Sequence, residues 1–247
     1  MKHTPDFSPF AGRYAASRPR YPEKLFSFLA SLSPAHQCAW DSATGSGQAA
    51  LDLTTYFHQV IATDISPEQI RHAVTHPRIQ YHVAQSERPA IADRSVDLIT
   101  VASALHWFRL KEFYDTAAQV LKSQGILAAW TYHVGYVEEP FTQLFNRFYT
   151  EILFSYFAPG ARMVDRRYED IILPGEAISV PDFYMEANWN LQQMLEFIQS
   201  WSGTQLYIKN RGQNPTDLIL DGLKAIWGDN QKVHSLRWPL YLKISRL

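Results

Sequence analysis

Apolar positions along the chain follow two alternating periods. Leu25, Phe28, Leu29 and Leu32 recur at helical spacing, and Pro22 suits a first turn, which predicts a helix over 22–32. Ala39 to Asp41 end a first strand, and a glycine turn then opens a helix over 48–56. "QVIATD" (59–64) is a buried apolar run ending in an acid and reads as a second strand. Ser66 as N-cap and Pro67 in the first turn start a helix that runs to about Thr75. "IQYHVA" (79–84) alternates like a third strand, and "SVDLITVAS" (95–103) reads as a fourth. A helix over 111–121, closed near Gly125, leads to a fifth strand, "GILAAWTY" (125–132). Strand and helix taking turns in this way predict an α/β fold with a parallel sheet and helices on both faces.

The pattern changes after the fifth strand. Residues 138–157 predict an aromatic-rich helix, and 158–180 read as irregular. The whole block 138–180 is expected to be a lid-like insertion, because inserted segments often cover sites. "DFYMEANW" (182–189) predicts a sixth strand, 191–201 and 215–227 predict helices, and "WPLYLKISRL" alternates as a closing strand. There is no internal repeat and no low-complexity linker. The expectation is therefore one domain over 1–247, with an arm and helix over 1–35.

Composition narrows the function. With 46% hydrophobic and 19% charged residues in 247, the chain can build a real core. A net charge of −1 gives no basic excess, which favours a small-molecule substrate over nucleic acid. Cys38 is the only cysteine, so no internal disulfide forms and a reducing cytoplasm is expected. The N-terminal stretch lacks the apolar core of a signal peptide, and no apolar run is long enough to span a membrane. Aromatic residues make up 14%, which suits an aromatic-lined pocket as well as a ring-rich core.

The stretch "AWDSATGSGQAALDL" (39–53) carries the first chemistry. Gly45 to Ala50 fit G-x-G-x-x-A, a dinucleotide fingerprint, and Asp41 to Gly47 fit D-x-x-x-G-x-G, a loop for S-adenosylmethionine. A glycine turn lets the backbone approach a ligand, and the following helix start favours phosphate. A carboxylate at Asp41 suits the cationic methionine part of S-adenosylmethionine, directly or through water, and suits pyrophosphate poorly. Asp64 lies about 20 residues after the first glycine, where an acid accepts from ribose hydroxyls of either cofactor. The plainer readings are a loop aspartate at 41 and a capping aspartate at 64.

These residues belong to a larger resemblance. The chain resembles class I S-adenosylmethionine-dependent methyltransferases, in the branch with trans-aconitate methyltransferase-like proteins. "RYAASRPRYP" is similar to that branch's N-terminal arm, here Tyr14, Arg18, Pro19, Tyr21 and Pro22. "WDSATGSGQAA", "ATDISPEQI", "SERPAIADRSVDLITVASALHWF" and "WPLYLKISR" are similar to its later motifs, in order. The resemblance implies a Rossmann-like, seven-stranded, mostly parallel sheet whose last strand is antiparallel. It implies S-adenosyl-L-methionine as cofactor and S-adenosyl-L-homocysteine as product. Asp41, Ala43, Gly45 and Gly47 then match the methionine-side loop, Asp64 the ribose acid and Ile65 the apolar residue beside adenine. Ser86 and Glu87 match the adenine edge, and Ala102 and Ser103 lie beside the sulfonium and methionine. Ala43 stands where the wider superfamily has glycine, so a non-positive φ is expected there.

His106 and Trp107 follow the fourth strand, at the carboxyl edge where such sheets bind ligands. Methyl transfer needs alignment above all, and a base only when the nucleophile arrives protonated. His106 is the candidate base or substrate contact, Trp107 a pocket wall, and Tyr14 and Arg18 substrate contacts from the arm, a guanidinium being able to grip a carboxylate. Arg162, Arg166 and Arg167 read as solvated charges among nearby acids. His72 and His76 share helical spacing but lack a third metal ligand, so no metal site is expected. Asn214-Pro215-Thr216 is not the Asn-Pro-Pro-aromatic motif of nucleic-acid amino methyltransferases. The expected function is methyl transfer to a small organic molecule, with O-methylation of a carboxylate or hydroxyl favoured. The rivals are an NAD(P)-dependent oxidoreductase and a catalytically silent binding protein of the same fold.

Overall fold

The apolar run at 59–64 forms strand β2 (Gln59–Asp64), flanked by β1 (Cys38–Ser42) and β3 (Ile79–Val83) in parallel register. The computed structural model describes residues 18–133 and 139–247. On the other side of β1 lie β4 (Val96–Ala102) and β5 (Leu121–Thr131), also parallel. The last strand, β8 (His234–Arg246), runs antiparallel to β5 and pairs at its end with the two-residue β6 (Glu176–Ala177). The resulting order is β3-β2-β1-β4-β5-β8-β6, and β7 (Phe183–Trp189) pairs with the first half of β8. Seven strands on one path, all parallel except the last, match the Rossmann-like expectation.

Helices cover both faces. Helices α1 (Glu23–Leu32) and α2 (Gln48–Leu53) bury Leu25, Phe26, Leu29 and Leu53 against Ala39, Leu98, Ala128 and Trp130. Helix α3 (Pro67–Arg71) follows β2, with Ser66 Oγ accepting from Gln69 N as its cap. On the opposite face, α4 (Leu110–Val120) buries Phe113 and Ala117 against Trp40, Ile99 and Val101. Side chains that alternate along each strand thus feed two separate cores.

The block after β5 differs from the single helix expected. It is α5 (Thr142–Arg147), a π-helical turn (Phe148–Leu153), a short 3₁₀ turn (Phe154–Tyr156) and α6 (Ala161–Asp165). Helices α7 (Leu191–Gln199), α8 (Ser202–Arg211) and α9 (Leu220–Trp227) complete the chain. Sequence patterning misses α8 because it buries only Gly203 and Thr204, not an apolar stripe. Two predicted helices also end early, α2 at Leu53 and α3 at Arg71. After α3 the chain leaves the helix so that Val74 N can reach Ser46 O at 3.1 Å, and Pro77 restricts the residue before it. Gly125 does not close α4. It lies within β5, inside a register shift, beside Gln124 at φ +65°. No helix among the described residues is long and apolar enough to cross a membrane.

Candidate functional site

Strand β1 delivers Asp41 to the carboxyl edge of the sheet, fully buried. Its Oδ2 accepts from Thr44 Oγ1 at 2.5 Å and its Oδ1 from Thr100 Oγ1 at 2.7 Å. One carboxylate therefore ties β1, the glycine loop and β4 together. Burial pushes its pKa up from 3.8 to about 6, with the two hydroxyls pulling the other way. The sequence expectation placed this acid towards a cationic ligand; the geometry spends a hydrogen bond to each oxygen on the protein itself.

The loop reverses hand at alternate residues: Ala43 at φ +55°, Gly45 at φ +56° and Gly47 at φ +82°. The non-positive φ expected at Ala43 is wrong. The turn from β1 towards α2 needs a left-handed residue there, and alanine accepts it at a cost of about 1 kcal/mol. Thr44 N, bonded to Thr63 O at 2.9 Å, holds the turn against β2. Gly47 is required twice, by its φ and because a Cβ there would lie 2.3 Å from Tyr81 Oη. That hydroxyl donates to Val74 O at 2.7 Å and closes the outer side of the loop.

Asp64 ends β2 and binds the same loop. Its Oδ2 accepts from Gly45 N at 2.9 Å and its Oδ1 from Ser66 N at 2.8 Å. Burial raises its pKa, and the backbone donors oppose that rise. Ile65 beside it is 54% exposed, an apolar side chain left facing solvent at the sheet edge. Ser86 is buried. Glu87 turns away from the loop: its Oε1 accepts from Arg109 N at 2.8 Å and caps the start of α4.

At the end of β4, Ser103 takes φ +53° and donates its N–H to Trp130 O at 2.8 Å. Its Oγ lies 3.5 Å from the hydroxyl of Tyr21, whose ring packs edge-on against Trp130. Tyr21 belongs to the arm motif but was not expected at the site; its place beside "RP" was the signal. Arg18 donates to Tyr132 Oη and, at 3.3 Å, to Ser200 O, with its guanidinium over Phe197. It fastens the arm to the end of β5 and to α7. Tyr14 lies outside the described residues.

His106 sits in the turn after β4, its Nδ1 2.9 Å from Tyr168 Oη and its ring against Trp107. Trp107 also packs on the Trp40–Phe113 core. Tyr168 is fully buried, hydrogen-bonded to Thr131 as well, and held with Arg167 in consecutive left-handed conformations. Burial lowers the His106 pKa to about 4, so the ring is neutral at pH 7. Where Tyr168 Oη donates to Nδ1, the neutral ring carries its proton on Nε2. Nothing in the sequence marks Tyr168, which follows a run of charged residues.

Two outcomes follow from the loop. An acid with a raised folded pKa binds more protons in the native state, so stability falls as pH rises through that window. Between pH 4 and 7 the stability of Asp41→Asn relative to the parent should therefore rise, by up to ~3 kcal/mol, in urea titrations. A difference that stays flat across that range refutes the buried ionisation. Ala43→Gly should stabilise the protein by about 0.5–1 kcal/mol in the same titrations, by releasing the left-handed strain. A loss of stability contradicts the backbone geometry.

Comparison with known proteins agrees with this layout. A family model described as a methyltransferase domain matches residues 40–129, from the middle of β1 into β5. A Dictyostelium discoideum protein described as a methyltransferase is 30% identical over 248 residues, covering 97% of this chain and 94% of its own. A Saccharomyces cerevisiae protein described as an S-adenosylmethionine-dependent methyltransferase is 24% identical, covering 87% of each chain. The solved structure of a protein described as a type II methyltransferase, from Anaeromyxobacter dehalogenans, aligns with a TM-score of 0.85 at 31% identity, over 93% of this chain and 97% of its own. The chain belongs to the class I S-adenosylmethionine-dependent methyltransferases.

Proposed function

We propose that the protein methylates an oxygen of a small organic molecule, with the donor held by the Asp41–Gly47 loop and Asp64. The observation that carries this reading is the open cradle at Gly45. A Cβ there would meet only Gln69 Oε1, at 4.0 Å, and that oxygen is buried without a hydrogen-bond partner. An acceptor atom so placed fits an ammonium or hydroxyl donor from a ligand and is unsuited to a phosphate. Each Asp64 oxygen accepts one backbone N–H and retains a lone pair for ribose hydroxyls, and exposed Ile65 offers a surface for an apolar ring. Ser86, Ala102 and Ser103 line the remaining edge. Bound there, S-adenosylmethionine supplies an activated methyl group. Asp41 supports the loop from beneath, and Glu87 contributes by fixing the start of α4.

His106 acts as a neutral contact to the acceptor. Its low pKa makes it a weak base at pH 7, while Nε2–H can hold a polar group in line. Trp107 contributes by backing the His106 ring, and Arg18 by holding the arm over the end of β5. The neutral charge balance supports a small acceptor rather than nucleic acid.

S-adenosylhomocysteine at a hundredfold excess over its Kd should raise Tm by roughly 5–10 °C. A rise with NADPH and none with S-adenosylhomocysteine would establish the oxidoreductase rival. Asp64→Ala should weaken S-adenosylhomocysteine binding about ten- to a hundredfold by calorimetry, as expected for a lost hydrogen bond to a charged group. His106→Ala should leave that affinity within about twofold and lower kcat/KM at least about fivefold, the cost of one neutral hydrogen bond. Full turnover in His106→Ala sinks the contact role.

A further inference from the structure

His133 lies two residues past the end of β5, on the edge that also carries Thr131 and its partner Tyr168. Its Nε2 is 3.2 Å from Asp165 Oδ1, at the end of α6. The hydroxyl of Tyr149, from the π-helical turn, donates to the same oxygen. Its ring centroid lies 4.5 Å from that of His133 and 5.0 Å from Phe157. Three lid elements thus meet one strand end. A cleft of about 150 Å³ lies on the same lid, lined by Phe154, Phe157, Pro159 and Arg162 among others. Turns of π-helix recur at functional sites.

Two atoms of the cluster are buried and have no partner: His133 Nδ1 and Asp165 Oδ2. In the neutral ring with Nε2–H donating to Asp165, Nδ1 presents a lone pair, so both orphans are acceptors. A buried acceptor left unpaired costs about 1–3 kcal/mol, which a ligand bringing a donor recovers. An anionic carboxylate brings none and is repelled by Asp165. A hydroxyl bears the proton these atoms lack.

Resting on the methyltransferase reading above, the geometry points to His133 as the base that takes the acceptor's proton, Asp165 as its positioning residue, and a hydroxyl or phenol as the acceptor. The acceptor's O–H bond breaks and its proton moves to Nδ1. The freed oxygen pair forms the bond to the methyl carbon, and the electron pair of the broken carbon–sulfur bond stays on sulfur. The imidazolium then returns the proton to water. His106, which presents a donor, orients the acceptor, and His133 deprotonates it.

Nitrogen NMR on ¹⁵N-histidine-labelled full-length protein reads the tautomer without any acceptor, with the His133 signals assigned by their loss in His133→Gln. The expected result at neutral pH is a bare Nδ1 and a protonated Nε2, a preference lost in Asp165→Asn. A protonated Nδ1 overturns the proposal even if a substrate panel is silent. In the panel, release of S-adenosylhomocysteine is followed with phenols, alcohols, amines and carboxylic acids. Turnover of hydroxyl compounds should fall about a hundredfold in His133→Gln, while S-adenosylhomocysteine affinity stays within twofold. Retained turnover, or methylation confined to carboxylic acids or amines, overturns it. Failure of the parent protein to bind S-adenosylhomocysteine would instead defeat the methyltransferase reading itself.

Discussion

The carboxyl edge of the sheet depends on satisfying one buried carboxylate. Asp41 is fully buried, and a charge taken out of water there is tolerable only with partners. Thr44 from the loop and Thr100 from β4 supply them. The pair of hydrogen bonds sets the distance between loop and strand, and with it the space above Gly45. Asp64 repeats the device from β2 by accepting from Gly45 N. Two acids on neighbouring strands thus grip one loop, from beneath and from the side. The left-handed strain at Ala43 persists because these contacts over-determine the turn.

The block after β5 is tied down by aromatic and polar anchors as well as by the short ladder of β6 on β8. Tyr168 reaches His106 and Thr131, Tyr149 reaches Asp165, and Gly203 of α8 leaves room for Phe157, whose ring would lie 2.5 Å from a Cβ there. That last approach explains a glycine inside a helix, where it costs about 1 kcal/mol relative to alanine. On the other side, Arg18 and Tyr21 bring the arm to the ends of β5 and β4. The arm and the block after β5 therefore reach the same edge from segments more than 100 residues apart in sequence.

Where sequence and structure agree, local physics and tertiary context coincide. β2 and the Ser66-Pro67 helix start fall where predicted, because a buried strand and a capped helix start are locally encoded. Asp41, Asp64, Ser103 and His106 come to one edge for the same reason: each lies at or just beyond the carboxyl end of a parallel strand. Ala43 misled because backbone hand is set by the path the loop must take, not by the residue type. Glu87 was expected as an acid at the adenine edge and not as a cap, since Arg109 lies 22 residues away. Tyr168, Tyr149 and Asp165 left no trace, because the block follows no period and the contacts these three make are distant in sequence.

The two histidines at this edge meet different environments. His106 is pressed between Trp107 and Tyr168, without an acid partner, and burial alone keeps it neutral. Its ring nitrogen is already committed to a phenol, so what remains is a donor. His133 faces a carboxylate that fixes its ring and leaves a lone pair over. On the proposal above, the donor of one ring and the acceptor of the other divide the work of orienting and deprotonating one hydroxyl. Neither ring could do both, because a neutral imidazole offers one donor and one acceptor on opposite nitrogens. Pairs of like groups pushed apart by their surroundings are how a fold assigns acid and base at one pH.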